Sequence, residues 1–393
     1  MNNSIKPKAF AWASLAFLFA FASCQTEKES SKVSNQAEAF KSIPIELNGP
    51  KAKLADLVEE VEIIRLEETD ESLMGMVWDL SIEEDYIVIP TDDRRMLYIF
   101  DSKGNFVSQF DRHGDGPEEY TTITSYWVKS DTLFLFDLYK KKLFEYSVQG
   151  EYLGFKSTDF LANAMYVLND EYWFDLSFRA QEDSTAGQLA KVDKQLRNPE
   201  YHLGALGDID FPMGAPLNSF SSYGNSLLYH QLLSDSVYQI KDGKVKPYLH
   251  FDLKGQFFWT SQEMKSTGGS PIEMIAQSDK VWLLIPRIDP DWIHLDFNVG
   301  FGDIPPPNDL LYHRPTNSSI AIDVEKGNQE RFEMSFNNWY DGRLLVSVSS
   351  TDIGEFLGDL EESQISYADG SSLETIESSE NPALMLIRFK SDF

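Results

Sequence analysis

Cysteine is almost missing from this chain: 393 residues contain one, Cys24. A disulfide framework and a thiolate-rich metal site are excluded with it. Basic residues are scarce too, 34 Lys+Arg against 63 Asp+Glu, for a net charge of −29. No nucleic acid is expected as a partner, because displacing phosphate counterions takes an excess of lysine and arginine. Apolar runs of the roughly 20 residues needed to cross a bilayer as a helix do not occur. The six histidines are scattered one at a time, and there is no nucleophile elbow, Walker loop, dinucleotide fingerprint or His-Glu-x-x-His. On motifs alone no catalytic set, metal site or cofactor is expected. At 42% hydrophobic and 13% aromatic, however, the chain can bury a large core, which excludes wholesale disorder.

The N-terminus carries an address. Lys6 and Lys8 precede an apolar or small run from Ala9 to Ala22, the length of a signal-peptide h-region. The run ends in Phe21-Ala22-Ser23-Cys24, which resembles a bacterial lipobox, with Phe21 where leucine is usual. Residues 1–23 are therefore expected to be a lipoprotein signal peptide and Cys24 the acylated attachment to a lipid membrane. A cysteine with more than one acyl chain anchors stably, where a single chain holds only marginally. Polar residues 24–42 suit a flexible tether, leaving 43–393 to fold. Glu27 and Glu29 resemble the acidic tags that send some lipoproteins to the outer face. Lys28 interrupts them, so the leaflet stays open.

After Phe40 the dominant pattern is short runs of Val, Ile, Leu, Phe, Tyr and Trp between polar turns, the pattern of β-strands. A weak helical pattern at Pro50–Glu60 is the exception. Gly104, Gly150 and Gly243 each mark a hairpin turn. The runs also repeat: Tyr86-Ile87-Val88-Ile89 lies on Thr132-Leu133-Phe134-Leu135 at an offset of 46 residues, which also carries Leu97 to Leu143, Gly104 to Gly150 and Phe106 to Tyr152. A further step reaches Val192. Looser copies are Val237–Ile240, Ile320–Asp323 and Leu384–Phe389. About six units predict an all-β, six-bladed β-propeller, with Val61–Leu66 completing the blade of Leu384–Phe389. Asp296–Pro315, with three successive prolines, and acidic Gly354–Glu380 read as long loops on one face.

Several segments are similar to the six-bladed β-propeller lipoproteins of Bacteroidetes-type bacteria. They are Leu54–Glu62 with Arg65-Leu66-Glu67 and Thr69, Leu97–Phe106, Gly114-Asp115-Gly116-Pro117-Glu118-Glu119-Tyr120, and Asn381–Ile387. Glu118 stands where that family usually has glycine. The resemblance implies the propeller fold and export. It brings no single activity, and it implies a place in the outer envelope, often beside nutrient-import systems.

The local constellations each have two readings. Gly114–Tyr120 is a ligand loop presenting His113, Asp115 and Glu118, or a rigid blade connection that the fold needs anyway; the connection is favoured. Asp289, Asp291, His294 and Asp296 offer cation ligands without the EF-hand spacing, so a surface loop is favoured. Asp92-Asp93 and Glu118-Glu119 are neighbours whose side chains diverge on a strand, unlike a facing acid and nucleophile, so solvated turns are favoured. The histidines (113, 202, 230, 250, 294 and 313) and the tryptophans (78, 127, 173, 259, 282, 292 and 339) are read as structural. The favoured function is a lipid-anchored binding or accessory module at the outer membrane, with an importer complex or its substrate as partner. The rival is a propeller enzyme of hydrolase or lyase type with a channel site of histidines and carboxylates. It requires two or more of His113, His230, His294 and nearby carboxylates to converge on the axis.

Overall fold

Short alternating runs closed by tight turns become hairpins, and the computed structural model arranges them in six sheets. It describes residues 39–159, 161–177, 187–204, 218–260, 270–300, 309–327 and 330–391. Cys24, the expected signal peptide and residues 24–38 of the expected tether lie outside the described residues. No helix among the described residues is long and apolar enough to cross a membrane.

The N-terminal segment supplies β1 (Lys41–Pro44), β2 (Lys51–Lys53), the one-turn helix α1 (Leu54–Leu57) and β3 (Val58–Arg65). Blade one is β4 (Ser81–Glu83), β5 (Tyr86–Pro90), β6 (Leu97–Asp101) and β7 (Phe106–Phe110). Blade two is β8 (Ser125–Lys129), β9 (Thr132–Asp137), β10 (Lys142–Ser147) and β11 (Tyr152–Ser157). Blade three is β12 (Ala164–Leu168), β13 (Glu171–Asp175), β14 (Leu189–Val192) and β15 (Glu200–His202). Blade four is β16 (Phe220–Tyr223), β17 (Ser226–His230), β18 (Ser236–Lys241) and β19 (Lys244–Asp252), followed by α2 (Pro271–Ala276). Blade five is β20 (Val281–Ile288), β21 (Trp292–Val299), β22 (Asp309–His313) and β23 (Ser318–Asp323). Blade six opens with β24 (Met334–Tyr340) and β25 (Arg343–Val348), passes through α3 (Ile353–Gly358), β26 (Ile365–Tyr367) and α4 (Leu373–Glu377), and ends in β27 (Ala383–Phe389).

Each blade is an antiparallel meander, and the first strands of neighbouring blades touch around one axis. The fold is a six-bladed β-propeller. Its ring closes as the sequence predicts: β3 lies antiparallel to β27, with Ile63 opposite Met385 and Val61 opposite Ile387. Val61 and Ile63 are fully buried, so closure removes both a bare sheet edge and apolar surface from water. Gly104 meets this strand so closely that a Cβ would strike the Arg65 carbonyl, and its φ of +88° suits glycine in any case.

Between blades the core is aromatic. Phe136 meets Phe174 edge to face at 5.4 Å, and Phe110 meets Tyr146 at 4.8 Å. Such pairs add about 0.5–1.5 kcal/mol beyond their buried area.

The perimeter divides into two halves. β1 runs parallel beside β19 with Ile43 opposite Phe251, β2 parallel beside β23 with Ala52 opposite Ile322, and β26 parallel beside β3. Blades four, five and six thus carry a fifth strand, whereas blades one to three end at β7, β11 and β15. β7 and β11 carry bulges at Val107 and Leu153, which are 46 residues apart and 37% and 55% exposed. Such a bulge puts an unpaired residue on the edge and twists it against further pairing.

Four expectations need correction. Ile320–Asp323 is the fourth strand of blade five rather than a copy of the third, because Asp309–His313 is the third. Asp296–Pro315 is not a continuous loop, since β21 runs to Val299 and β22 starts at Asp309; residues 301–308, with the prolines, lie outside the described residues. Gly354–Glu380 contains two helices and the strand β26 paired to β3, its apolar Ile376 buried. The folded sheet also begins at Lys41 rather than at residue 43, because β1 pairs with blade four.

Candidate functional site

The innermost strands of five blades frame a cavity of ≈170 Å³ on the axis. β4 contributes Ser81, Ile82 and Glu83; β12 contributes Tyr166; β16 contributes Phe220 to Tyr223. Ile288 of β20, Asp289 and Pro290 of the turn after it, and Asn338, Trp339 and Tyr340 of β24 complete the wall. β4 and β16 are short and bring Ser81, Ser221, Ser222 and Tyr223 to the channel, while the second and third strands of the blades hold the apolar core. Serine hydroxyls, amides and aromatic rings therefore dominate the lining, with two carboxyl groups and no lysine, arginine or histidine among the described lining residues.

Both carboxyls are perturbed. Burial pushes Glu83 up to about 7, with the Ser81 hydroxyl opposing the shift and the Glu84 charge adding to it. Burial also raises Asp289; the Asp291 carboxylate adds to that, and the backbone N–H of Asp291 opposes it. Tyr166 is pushed up to about 12 by burial, with Glu83 beside it contributing. Behind the wall, Arg314 donates to Tyr223 Oη at 2.9 Å, to Tyr248 Oη at 2.8 Å and to the Asp289 carbonyl at 2.8 Å, which fixes the hairpin that carries Asp289.

A second polar cluster lies between blades five and six. Arg287 Nη1 is 3.2 Å from His294 Nδ1, and His294 Nε2 is 3.0 Å from Asp309 Oδ1. A guanidinium only donates, so Nδ1 accepts and the imidazole proton sits on Nε2, facing Asp309. Asp296 is 4.0 Å from Arg287; burial raises its carboxyl while Arg287 opposes the shift. His294 is fully buried with its ring 4.6 Å from Phe336, and none of the four residues of this network lines the axial cavity.

The residues singled out in the sequence take other places. In the Gly114–Tyr120 segment the glycine N–H of Gly116 donates to Glu119 Oε2 at 2.7 Å, and Tyr120 is fully buried. Lys140 Nζ donates to the carbonyls of Gly114, Gly116 and Glu119 at 2.9, 3.1 and 2.7 Å. An ammonium group from blade two thus fills the carbonyl cage of this loop, and His113, Asp115 and Glu118 point into solvent. The segment is a blade connection. Asp289 and Asp291 stay in their hairpin turn, where Asp291 N–H donates to Asp289 Oδ1 at 3.1 Å, while His294 and Asp296 lie on β21 rather than in a surface loop. Asp93 accepts from Thr91 and Arg95 within its own turn.

Of the remaining histidines, His230 is driven down to about 4 by burial, its Nε2 2.8 Å from the Ser234 carbonyl. His202 is lowered, also by burial; His250 lies 3.5 Å from Asp235; His313 stacks on Trp292 at 4.3 Å. His113, His230 and His294 occupy a connection and two different blades, and none lines the axial cavity. Among the described residues no three His, Cys, Asp or Glu side chains gather as metal ligands. The tryptophans are packed or hydrogen-bonded, with Trp78 the exception at 56% exposed.

Glu83 and Tyr166 were not legible as site residues. Ser81-Ile82-Glu83-Glu84-Asp85 reads as a solvated turn, and only ring closure puts its first half on the axis. Asp137 and Asp175 were also missed, although each follows a phenylalanine and precedes a leucine at the end of a second strand, a repeat that the sequence does display.

Among solved structures, a Bacteroides fragilis protein assigned as exported is similar, with a TM-score of 0.68 at 15% identity, covering 89% of this chain and 99% of that one. A member of the DUF4221 family from Bacteroides vulgatus has a TM-score of 0.46 at 11% identity, covering 85% and 97%. At these identities the first likeness speaks for the fold alone. No curated protein matches the sequence. The family model described as domain of unknown function DUF4934 matches residues 40–388, nearly the whole propeller, and the chain belongs to that family.

Proposed function

We propose that this chain is a lipid-anchored envelope propeller that serves as a binding or accessory module at the outer membrane, attached through acylated Cys24. The observation that supports binding over catalysis is the axial cavity, walled by hydroxyls, amides and rings. Its two carboxyls come from separate blades, and among the described lining residues no histidine, lysine or cysteine stands with them. General acid–base chemistry needs such groups within hydrogen-bond reach of one another or of a shared substrate atom. The partner is an outer-membrane importer complex or the substrate it handles, as the family resemblance implies. An acidic surface keeps such an exposed module soluble.

The test is to isolate the full-length protein from native outer membranes in mild detergent. A stoichiometric transporter or surface lipoprotein is expected to come with it; recovery alone removes the accessory role. The anchor has its own test. Cys24→Ser should move the protein to the soluble fraction, and a variant that stays with membranes through a salt wash would show that Cys24 is not the attachment.

A further inference from the structure

We propose that the axial cavity binds a small organic cation, an ammonium group attracted by the carboxylates of Glu83 and Asp289 and walled by the rings of Tyr166, Tyr223, Trp339 and Tyr340. This deepens the binding-module reading and rests on it. Three observations converge on that ligand class. The cavity, at ≈170 Å³, exceeds the roughly 30 Å³ share of one water, so it has room for a small molecule. Among the described lining residues the charged groups, Glu83 and Asp289, are both acidic; Arg314 acts on Asp289 from behind the wall, whereas no cationic side chain acts on Glu83. Aromatic faces surround them, and a cation gains both from the ring quadrupoles and from the carboxylates once water is displaced. A neutral ligand would leave two carboxyls in a site that disfavours their charge, and an anion would be repelled.

The groups around Glu83 are Glu84 on its own hairpin, Tyr126 of β8 and Tyr166 of β12; those around Asp289 are Asp291 and Arg314. Burial raises both lining carboxyls, that of Glu83 to about 7. A cation therefore binds the ionised form and expels a proton, and affinity rises with pH through that value.

The experiment is a saturation-transfer NMR titration of the full-length protein in mild detergent, with tetramethylammonium as probe and its neutral isostere tert-butanol as control. Tetramethylammonium is expected to bind saturably at pH 8, and tert-butanol about tenfold more weakly or not at all. Lowering the pH to 6 should weaken the cation about tenfold, the change in the ionised fraction of a group titrating near 7. Glu83→Gln should weaken it comparably and abolish the pH dependence, with a thermal melt confirming that the variant is folded. Asp289→Asn supplies a second, independent carboxylate deletion. Equal binding of the two probes would overturn the cation assignment while leaving the binding module intact. Cation binding untouched by both substitutions, or no saturable binding of either probe, would overturn the site itself. The accessory role is judged separately, by what copurifies from the membrane.

Discussion

Asp175 and Glu83 are both carboxyls withdrawn from water, and they differ in what meets them. Asp175, 1% exposed, accepts from Ser177 N–H at 2.9 Å, from Tyr229 Oη at 3.0 Å and from the Ser219 hydroxyl. Asp137, fully buried at the matching point of blade two, accepts from Thr121 N–H and Oγ1 at 2.6 and 2.8 Å and from the N–H groups of Tyr139 and Lys140 at 2.8 and 3.0 Å. Each ties the end of a second strand to the connection that enters or leaves its blade. Glu83 meets a serine hydroxyl, another acid and an open cavity, and its carboxyl rises to about 7. A buried acid with a full set of donors is part of the frame. One left facing a cavity without such a set marks a place where something else is meant to bind.

The comparison breaks most visibly at Asp175. Asp175→Ala strands the Ser219 hydroxyl and the Ser177 N–H in the core and leaves the Tyr229 hydroxyl with Ser177 Oγ alone, at an expected cost of about 3 kcal/mol, read as a lower urea midpoint with an unchanged slope. A midpoint within error of the parent would make Asp175 dispensable and the contrast empty.

Glu83→Gln is expected to act with the opposite sign. The folded carboxyl titrates near 7 and an ordinary one at 4.5, so the folded protein binds more protons between those values and loses stability as pH rises through the window. Removing the charge should therefore stabilise by about 2 kcal/mol at pH 8, discounting the shift for partial solvent access, and by nothing measurable at pH 4.5. Urea unfolding at both pH values checks it; equal effects at the two would show that the carboxyl is not perturbed.

The smallest effect sharpens the frame side. In Gly114→Ala the new Cβ collides with the Glu119 carboxylate and pushes it off the Gly116 N–H, while the Lys140 cage survives. A loss of about 1 kcal/mol is expected. Tetramethylammonium binding should stay unchanged, because this connection does not line the axial cavity.

The regular half of the ring was readable because its blades are local. A 46-residue step links β5 to β9, Gly104 to Gly150 and the bulges Val107 and Leu153. Hairpin pairing involves neighbours in the chain, so its pattern is written in consecutive residues. The belt of β1 and β2 was not readable. Lys41–Pro44 and Lys51–Lys53 have no alternation to betray them, and Lys41 pairs with Leu249, more than half the chain away. β22 was hidden inside a proline-marked stretch that looked like one loop.

The strand and turn periodicity, the repeat, the borrowed closing strand and the acidic charge are written in the chain, since each depends on residue chemistry at short range or on a repeated spacing. Which ends of those strands face the axis follows from the assembly of the blades. Closing a ring of six blades brings Glu83, Tyr166, Tyr223, Asp289 and Trp339, from five separate blades, to one cavity. It also withdraws water from Glu83. Desolvation depends on everything that surrounds a group, and no stretch of sequence around residue 83 contains that information.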